Sequence, residues 1–115
     1  MIQLLDEIVV AADSLPIVRA LLHERYLPGA LARKMQLAGE WVSPPVTVAG
    51  APHTLWVSWQ LPDIDAWWAM RQQVSFDPAV GAFWQDVDAL CQRRTRHVQT
   101  SASIAPAAAA EVSHA

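Results

Sequence analysis

Cysteine is almost missing from this chain. A single one, Cys91, occurs in 115 residues, so no internal disulfide framework is available and a reducing compartment suits the protein. Charge is also scarce, at 17% of residues with a net of −3, and there is no basic excess of the kind that nucleic acid or an anionic membrane surface demands. Four scattered histidines and one cysteine give no pair at the short intervals of a metal site. There is no glycine-rich phosphate loop and no nucleophile-elbow motif, so neither metal nor organic cofactor is expected. The N-terminal residues lack a basic segment, a long apolar run and a small-residue cleavage site. No stretch approaches the roughly 20 apolar residues that cross a bilayer. These absences together predict a cytoplasmic protein.

What the chain has in abundance is apolar surface. Hydrophobic residues make up 53%, with six tryptophans against one tyrosine and two phenylalanines. One domain fits this length, and so much apolar material exceeds the needs of a single small core. The excess is expected to line a cavity or an interface, where Trp is favoured. Ordinary core places will take some of the six.

The pattern along the chain alternates strand and helix signals. IQLLDEIVVAA at 2–12 reads as a strand with little exposure. Asp13 and Ser14 then offer caps, Pro16 suits a first helical turn, and a helix is expected from Leu15 toward Tyr26. Pro28-Gly29 is expected to interrupt it, with ALARKM as a further helical turn or a resumed helix. QLAGEWVSPPVTV and TLWVSWQL, separated by the turn-rich AGAPH, predict a β-hairpin with Pro44-Pro45 at an edge or bulge. Asp63 and Asp77 each mark a helix start. The second of these helices is expected to stay amphipathic to about Arg96, so that Arg93, Arg94, Arg96 and His97 complement its dipole and Cys91 lies on its apolar face. Residues 97–104 offer a last short strand, and 105–115 read as a flexible tail after a single domain spanning 1–104. The order βαββαβ predicts an α+β, ferredoxin-like sandwich: an antiparallel sheet with helices on one face. In TLWVSWQL, Leu55, Val57, Trp59 and Leu61 face one way, while Thr54, Trp56, Ser58 and Gln60 face the other. A second, identical sheet would cover that second face, which predicts a homodimer.

Two helices carry an arginine within their apolar stripe at about 100° per residue. Arg25 falls among Leu15, Val18, Leu21 and Leu22, with Tyr26 at the edge and Arg19 and His23 further round. Arg71 falls among Ile64, Trp67, Trp68, Met70 and Val74. The last helix has a clean stripe of Val80, Phe83, Trp84, Val87, Leu90 and Cys91. A buried guanidinium cannot shed its proton and needs a partner. Arg25 and Arg71 therefore either pair with Asp6, Glu7 or Glu40, snorkel to the surface, or hold an anionic ligand. In the last case a pocket between sheet and helices, walled by Trp41, Trp56, Trp59, Trp67, Trp68 and Trp84, would take a flat or apolar molecule with a carboxylate, carbonyl or phenolate. Tyr26, His23 and His53 would be its proton-handling groups. Each also has a plainer role, as a core tyrosine, a surface histidine and a loop histidine.

HERYLPGA at 23–30, LWVSW in the third strand and AWWAMRQQVSFDPAVGAFW at 66–84 resemble the dimeric α+β barrel superfamily, in its NIPSNAP and EthD-like flavour. The resemblance implies a homodimer with a ligand cavity in each subunit. It also implies a choice among cofactor-independent isomerases, cyclases, lyases and monooxygenases, and proteins of unknown role. No family catalytic residue transfers onto a matched motif. Three functions are therefore carried forward: a small cofactor-free enzyme acting on an aromatic or polyketide-like compound, a non-catalytic ligand carrier or stability partner, and a dimerisation module.

Overall fold

The structure, a computed structural model, describes residues 1–102. The expected tail at 105–115, and the last two residues of the strand expected at 97–104, lie outside the described residues. Four antiparallel strands form one sheet in the order β2-β3-β1-β4: β1 (Ile2–Ala11), β2 (Gln36–Ser43), β3 (Pro52–Leu61) and β4 (Cys91–Thr100). Between β1 and β2 run α1 (Leu15–Leu21), a π-helical turn (Leu22–Tyr26) and α2 (Leu27–Ala32), and between β3 and β4 run α3 (Ile64–Ser75) and α4 (Pro78–Leu90). This is the ferredoxin-like α+β arrangement.

Alternation decides which face the helices cover. Leu4, Ile8 and Val10 of β1 and Leu55, Val57, Trp59 and Leu61 of β3 are buried, and the pairings Leu4↔Trp59 and Ile8↔Leu55 place them on one side. Val18, Leu22, Tyr26, Ala30, Met70, Phe83 and Val87 complete that core from the helices. The opposite face presents Leu5, Trp41, Trp56 and Ser58 at half-buried to exposed positions, with Trp41 67% exposed.

The helix breaks are where the sequence reading needs correction. Pro28-Gly29 does not interrupt the first helix, because the π-helical turn comes directly before it, with the Leu27 N–H bonding the Leu22 carbonyl. That wider turn relieves the clash of a proline ring with the carbonyl four residues back. It also resets the phase. Val18, Leu22, Tyr26 and Ala30 are all buried at four-residue spacing, which in a regular α-helix drifts by roughly 40° per step. As a result Tyr26 moves from the edge of the stripe to its centre, and Arg25 turns outward.

The second correction concerns 91–96. The last helix ends at Leu90, and Cys91 begins β4, so Arg93, Arg94, Arg96 and His97 stand on an edge strand rather than at a helix terminus. The stretch contains neither Gly nor Pro to announce a stop, and its polar residues on both faces hide a period of two. Pairing with β1, from Ile2↔Thr100 to Val10↔Cys91, decides its conformation. Other expectations hold. β2 is an edge strand and Pro44-Pro45 follow its last residue. Asp63 caps α3 through the Ala66 N–H at 2.8 Å, and Asp77 caps α4 through the Ala79 N–H at 3.0 Å. Replacing Asp77 with Ala is expected to lower stability by about 1 kcal/mol. The urea midpoint measures this, and an unchanged midpoint would show the cap to be dispensable.

Candidate functional site

The chemistry concentrates where β4 brings Arg96 beside Asp6 of β1, its register partner. Arg96 Nε donates to Asp6 Oδ1 at 2.7 Å and Nη2 to Oδ2 at 2.9 Å. Trp59 Nε1 also donates to Oδ2, at 3.0 Å. Asp6 is buried, and a quarter of the Arg96 side chain meets solvent. Burial alone would lower the guanidinium's affinity for its proton. The hydrogen bonds and charge of Asp6, with Tyr26 behind them, outweigh that and carry its pKa above the ordinary value. Arg96 Nη2 also donates to the Tyr26 hydroxyl at 3.2 Å, and that hydroxyl donates weakly to Met35 Sδ at 3.7 Å.

Aromatic rings enclose this pair. Tyr26 lies 5.4 Å from Trp59, 5.0 Å from Phe83 and 5.3 Å from Trp84, centre to centre. The Trp84 ring has Arg94 at 4.3 Å and Arg96 at 5.5 Å, both within cation–π range. Arg94 is anchored by two hydrogen bonds to Asp88, at 2.5 and 3.2 Å, which hold that carboxyl below its usual range. Burial pushes the neighbouring Cys91 thiol up, and Asp88 adds to the effect. Cys91 is thus half-buried on β4 and poorly suited to act as a nucleophile.

Beside Arg96 a cleft of about 310 Å³ opens between α3 and β4, lined by Trp67, Met70, Arg71, Val74, Arg96 and Val98. Arg71 stacks over Trp67 at 5.2 Å and Trp68 at 5.6 Å. Among the described residues its guanidinium has no carboxylate partner. Two larger depressions, each about 510 Å³, lie at the ends of the sheet. Each has one charged side chain on its wall, Lys34 in one and Asp13 in the other, so volume alone does not make either the better candidate.

No protein-family profile and no curated protein matches the sequence. Solved structures do match its fold. A NIPSNAP domain protein from Burkholderia xenovorans superposes with a TM-score of 0.67 at 18% identity, over 92% of this chain and 99% of that one. A NIPSNAP family protein of unknown function from Agrobacterium tumefaciens gives 0.68 at 13% identity, over 92% of each chain. A protein described as an antibiotic biosynthesis monooxygenase gives 0.55 at 12% identity, over 88% of this chain and 98% of that one. The chain has a NIPSNAP-like α+β fold.

Within this NIPSNAP-like frame the residues singled out from the sequence separate. Arg25 ion-pairs with Asp86 of α4 and stands 5.9 Å from the Phe83 ring, so it shares no partner with Arg71. The three carboxylates expected to serve these arginines are taken by other cations. Asp6 holds Arg96, Glu7 meets His97 at 3.2 Å and Arg93 at 3.6 Å, and Glu40 meets His23 at 2.6 Å and Arg19 at 3.3 Å. His23 is therefore an exposed residue bridging the helix to β2. His53 is not an exposed loop residue: it is 2% exposed, accepts from the Val48 N–H at 3.1 Å and bonds the Ala51 carbonyl at 3.0 Å. Both ring nitrogens are used in closing the β2–β3 loop, which leaves none for proton transfer. Tyr26 lies at the centre of the site but is sealed, at 2% exposure.

The tryptophans divide by face. Trp59 and Trp84 surround the Asp6–Arg96 pair, Trp67 lines the cleft, and Trp68 is exposed beside Arg71. Trp41 and Trp56 do not line a pocket between sheet and helices. They pair across the open face of the sheet, where Trp56 Nε1 donates to Ser43 Oγ at 3.1 Å. Sequence reasoning missed Arg96. The signal that finds it is the register placing it opposite Asp6, an acid on the otherwise apolar inward face of β1. Asp6→Ala would leave the guanidinium half-buried without its carboxylate, and a loss of about 3 kcal/mol is expected, the low end for buried pairs. Adding Arg96→Met should recover part of it. Chemical denaturation tests this, and a single substitution below about 1 kcal/mol would demote the pair to a surface bridge.

Proposed function

We propose that the chain is a small-molecule-binding protein whose cleft between α3 and β4 takes a flat, largely apolar ligand bearing a carboxylate, carbonyl or phenolate oxygen. The observation that carries this is Arg71. Its cation lies over two indole rings at the mouth of a cleft that also contains Arg96, and it has no carboxylate partner among the described residues. Trp67, Met70, Val74 and Val98 supply apolar walls. Arg96 Nη1 has no protein acceptor among the described residues, since Asp6 and Tyr26 engage only Nε and Nη2. Charged donors at an otherwise apolar site are the usual means of orienting such a ligand.

One observation favours an enzymatic reading, the cofactor-independent isomerase, cyclase, lyase or monooxygenase of the sequence analysis. The fold is shared with a protein described as an antibiotic biosynthesis monooxygenase. The cleft itself offers oxyanion stabilisation by Arg71 and Arg96. No carboxylate, histidine or tyrosine is among the residues lining it, so proton transfer would have to come from the ligand or solvent. Binding without turnover is the reading the geometry favours. Titration with a panel of aromatic carboxylates and polyketide-like phenols should change tryptophan fluorescence. Arg71→Ala should weaken the tightest of them about tenfold or more, as loss of a charge-assisted bond implies. Absence of any saturable response across the panel would remove the cleft as a binding site.

We also propose that a second copy of the chain covers the open face of the sheet. Leu5, Trp41 and Trp56 stand there with no helix over them. Light scattering is expected to give twice the mass of one chain, and Trp41→Glu to shift it toward one. A monomeric mass for the unaltered protein would end this proposal. No helix among the described residues is long and apolar enough to cross a membrane, and a cytoplasmic location is part of the same proposal.

A further inference from the structure

Two arginines pack against the Tyr26 ring, and access to solvent separates them. Arg33, at the end of α2, has its Cζ 5.3 Å from the ring centre. Its side chain folds back past Gly29, where a Cβ would lie 2.8 Å from Nη1. Its Nε and Nη2 have no hydrogen-bond partner among the described residues, but both are occluded, so a ligand in a surface cleft does not reach them. Arg96 has its Cζ 5.8 Å from the same ring. Its Nε and Nη2 are engaged by Asp6 and Tyr26. Nη1 is unbonded among the described residues and is not occluded, and a quarter of the side chain meets solvent. Of the two, only Arg96 presents a free donor, and it does so in the α3–β4 cleft that it lines with Arg71.

The two cations of that cleft are chemically unequal. Arg71 has no carboxylate partner among the described residues, so its charge is uncompensated. Arg96 is held by both oxygens of a buried carboxylate, and the pair is close to neutral as a unit. A carboxylate brought to Arg71 gains a charge-assisted bond that offsets the loss of its water. A second carboxylate, brought to Arg96 Nη1, meets a charge that Asp6 already neutralises and would give up its hydration for a hydrogen bond alone. A neutral oxygen costs far less to desolvate and accepts the same bond. A hydroxyl would bring a proton for which the lining side chains offer no oxygen acceptor, whereas a carbonyl brings none. We propose, resting on the reading of this cleft as a ligand site, that it takes an aryl oxo acid, with the carboxylate on Arg71 and the carbonyl oxygen on Arg96 Nη1. Asp6 is the positioning residue: it turns Nη1 toward the ligand and cancels the charge there. The cleft, at about 310 Å³, is at the small end for such sites, which suits a single ring against Trp67, Met70 and Val74.

Calorimetric titration of the full chain tests this with matched probes. Phenylpyruvate and benzoylpropionate carry the two oxygens at different spacings, and phenylpropionate and phenylbutyrate are their deoxo counterparts. Benzylmalonate, under mildly alkaline conditions, puts a second carboxylate in place of the carbonyl. At least one oxo acid is expected to bind about tenfold more tightly than its deoxo counterpart, the worth of one hydrogen bond to a charged donor, and more tightly than benzylmalonate. Arg96→Lys keeps a cation for Asp6 but has no second nitrogen for the cleft, and should erase the oxo preference. Asp6→Asn leaves Arg96 uncompensated, and benzylmalonate should then overtake the oxo acids. An Asp6 that mattered only to the fold would weaken every probe alike, with a lowered melting temperature. Deoxo acids that bind as tightly as both oxo acids overturn the proposal and leave the cleft standing as a ligand site. Equal binding of benzylmalonate, or an oxo preference that survives Arg96→Lys, overturns it as well. No saturable binding by any probe removes the cleft and the proposal together.

Discussion

An ion pair drawn into an aromatic core constrains most of this molecule. Asp6 occupies an inward position of β1, where its neighbours Leu4 and Ile8 are fully apolar, and a carboxylate there needs every oxygen engaged. Arg96 supplies two bonds and Trp59 a third. Those contacts require that residue 96 lie on a strand beside β1, that Trp59 lie on the same face of β3, and that Tyr26 approach from the helix side. The pair thus ties together β1, β3, β4 and the π-helical turn. It also delivers a cation to the base of the α3–β4 cleft, and so links the architecture to the candidate site.

The helix α3 has the opposite character. Of its twelve residues only Met70 is buried, while Ile64 and Trp68 are about half exposed and Phe76, just beyond its end, is 82% exposed. It lies over the sheet with a cleft on each side, one holding Arg71 and Arg96 and the other Arg33. Helices that bury little apolar surface belong to the low-stability end of a fold, where binding elements are commonly found. The two clefts differ in chemistry: tryptophans wall the first, and alanines with a pair of aspartates the second.

The helical half of the chain shows how a local irregularity redirects a whole face. The π-helical turn keeps Val18, Leu22, Tyr26 and Ala30 in line, takes Pro28 into the helix and carries the chain on to Arg33. Had the helix stopped at Pro28, Arg33 would not lie over Tyr26. Had it continued as a regular α-helix, Arg25 rather than Tyr26 would face the core.

The sequence by itself determined the element order, both aspartate caps, the alternating face of β3 and hence the ferredoxin-like class, because each follows from a local period or a capping residue. It also located Arg71 among tryptophans. Only the tertiary structure decided which cation enters the core. Arg25 and Arg96 both have strongly basic, long side chains, and periodicity favoured the former. The choice rests on a phase shift in one helix and on strand pairing across 90 positions, neither of which leaves a local mark. The same holds for His53 and Arg33, whose burial comes from a loop folding over one and a helix end folding back on the other.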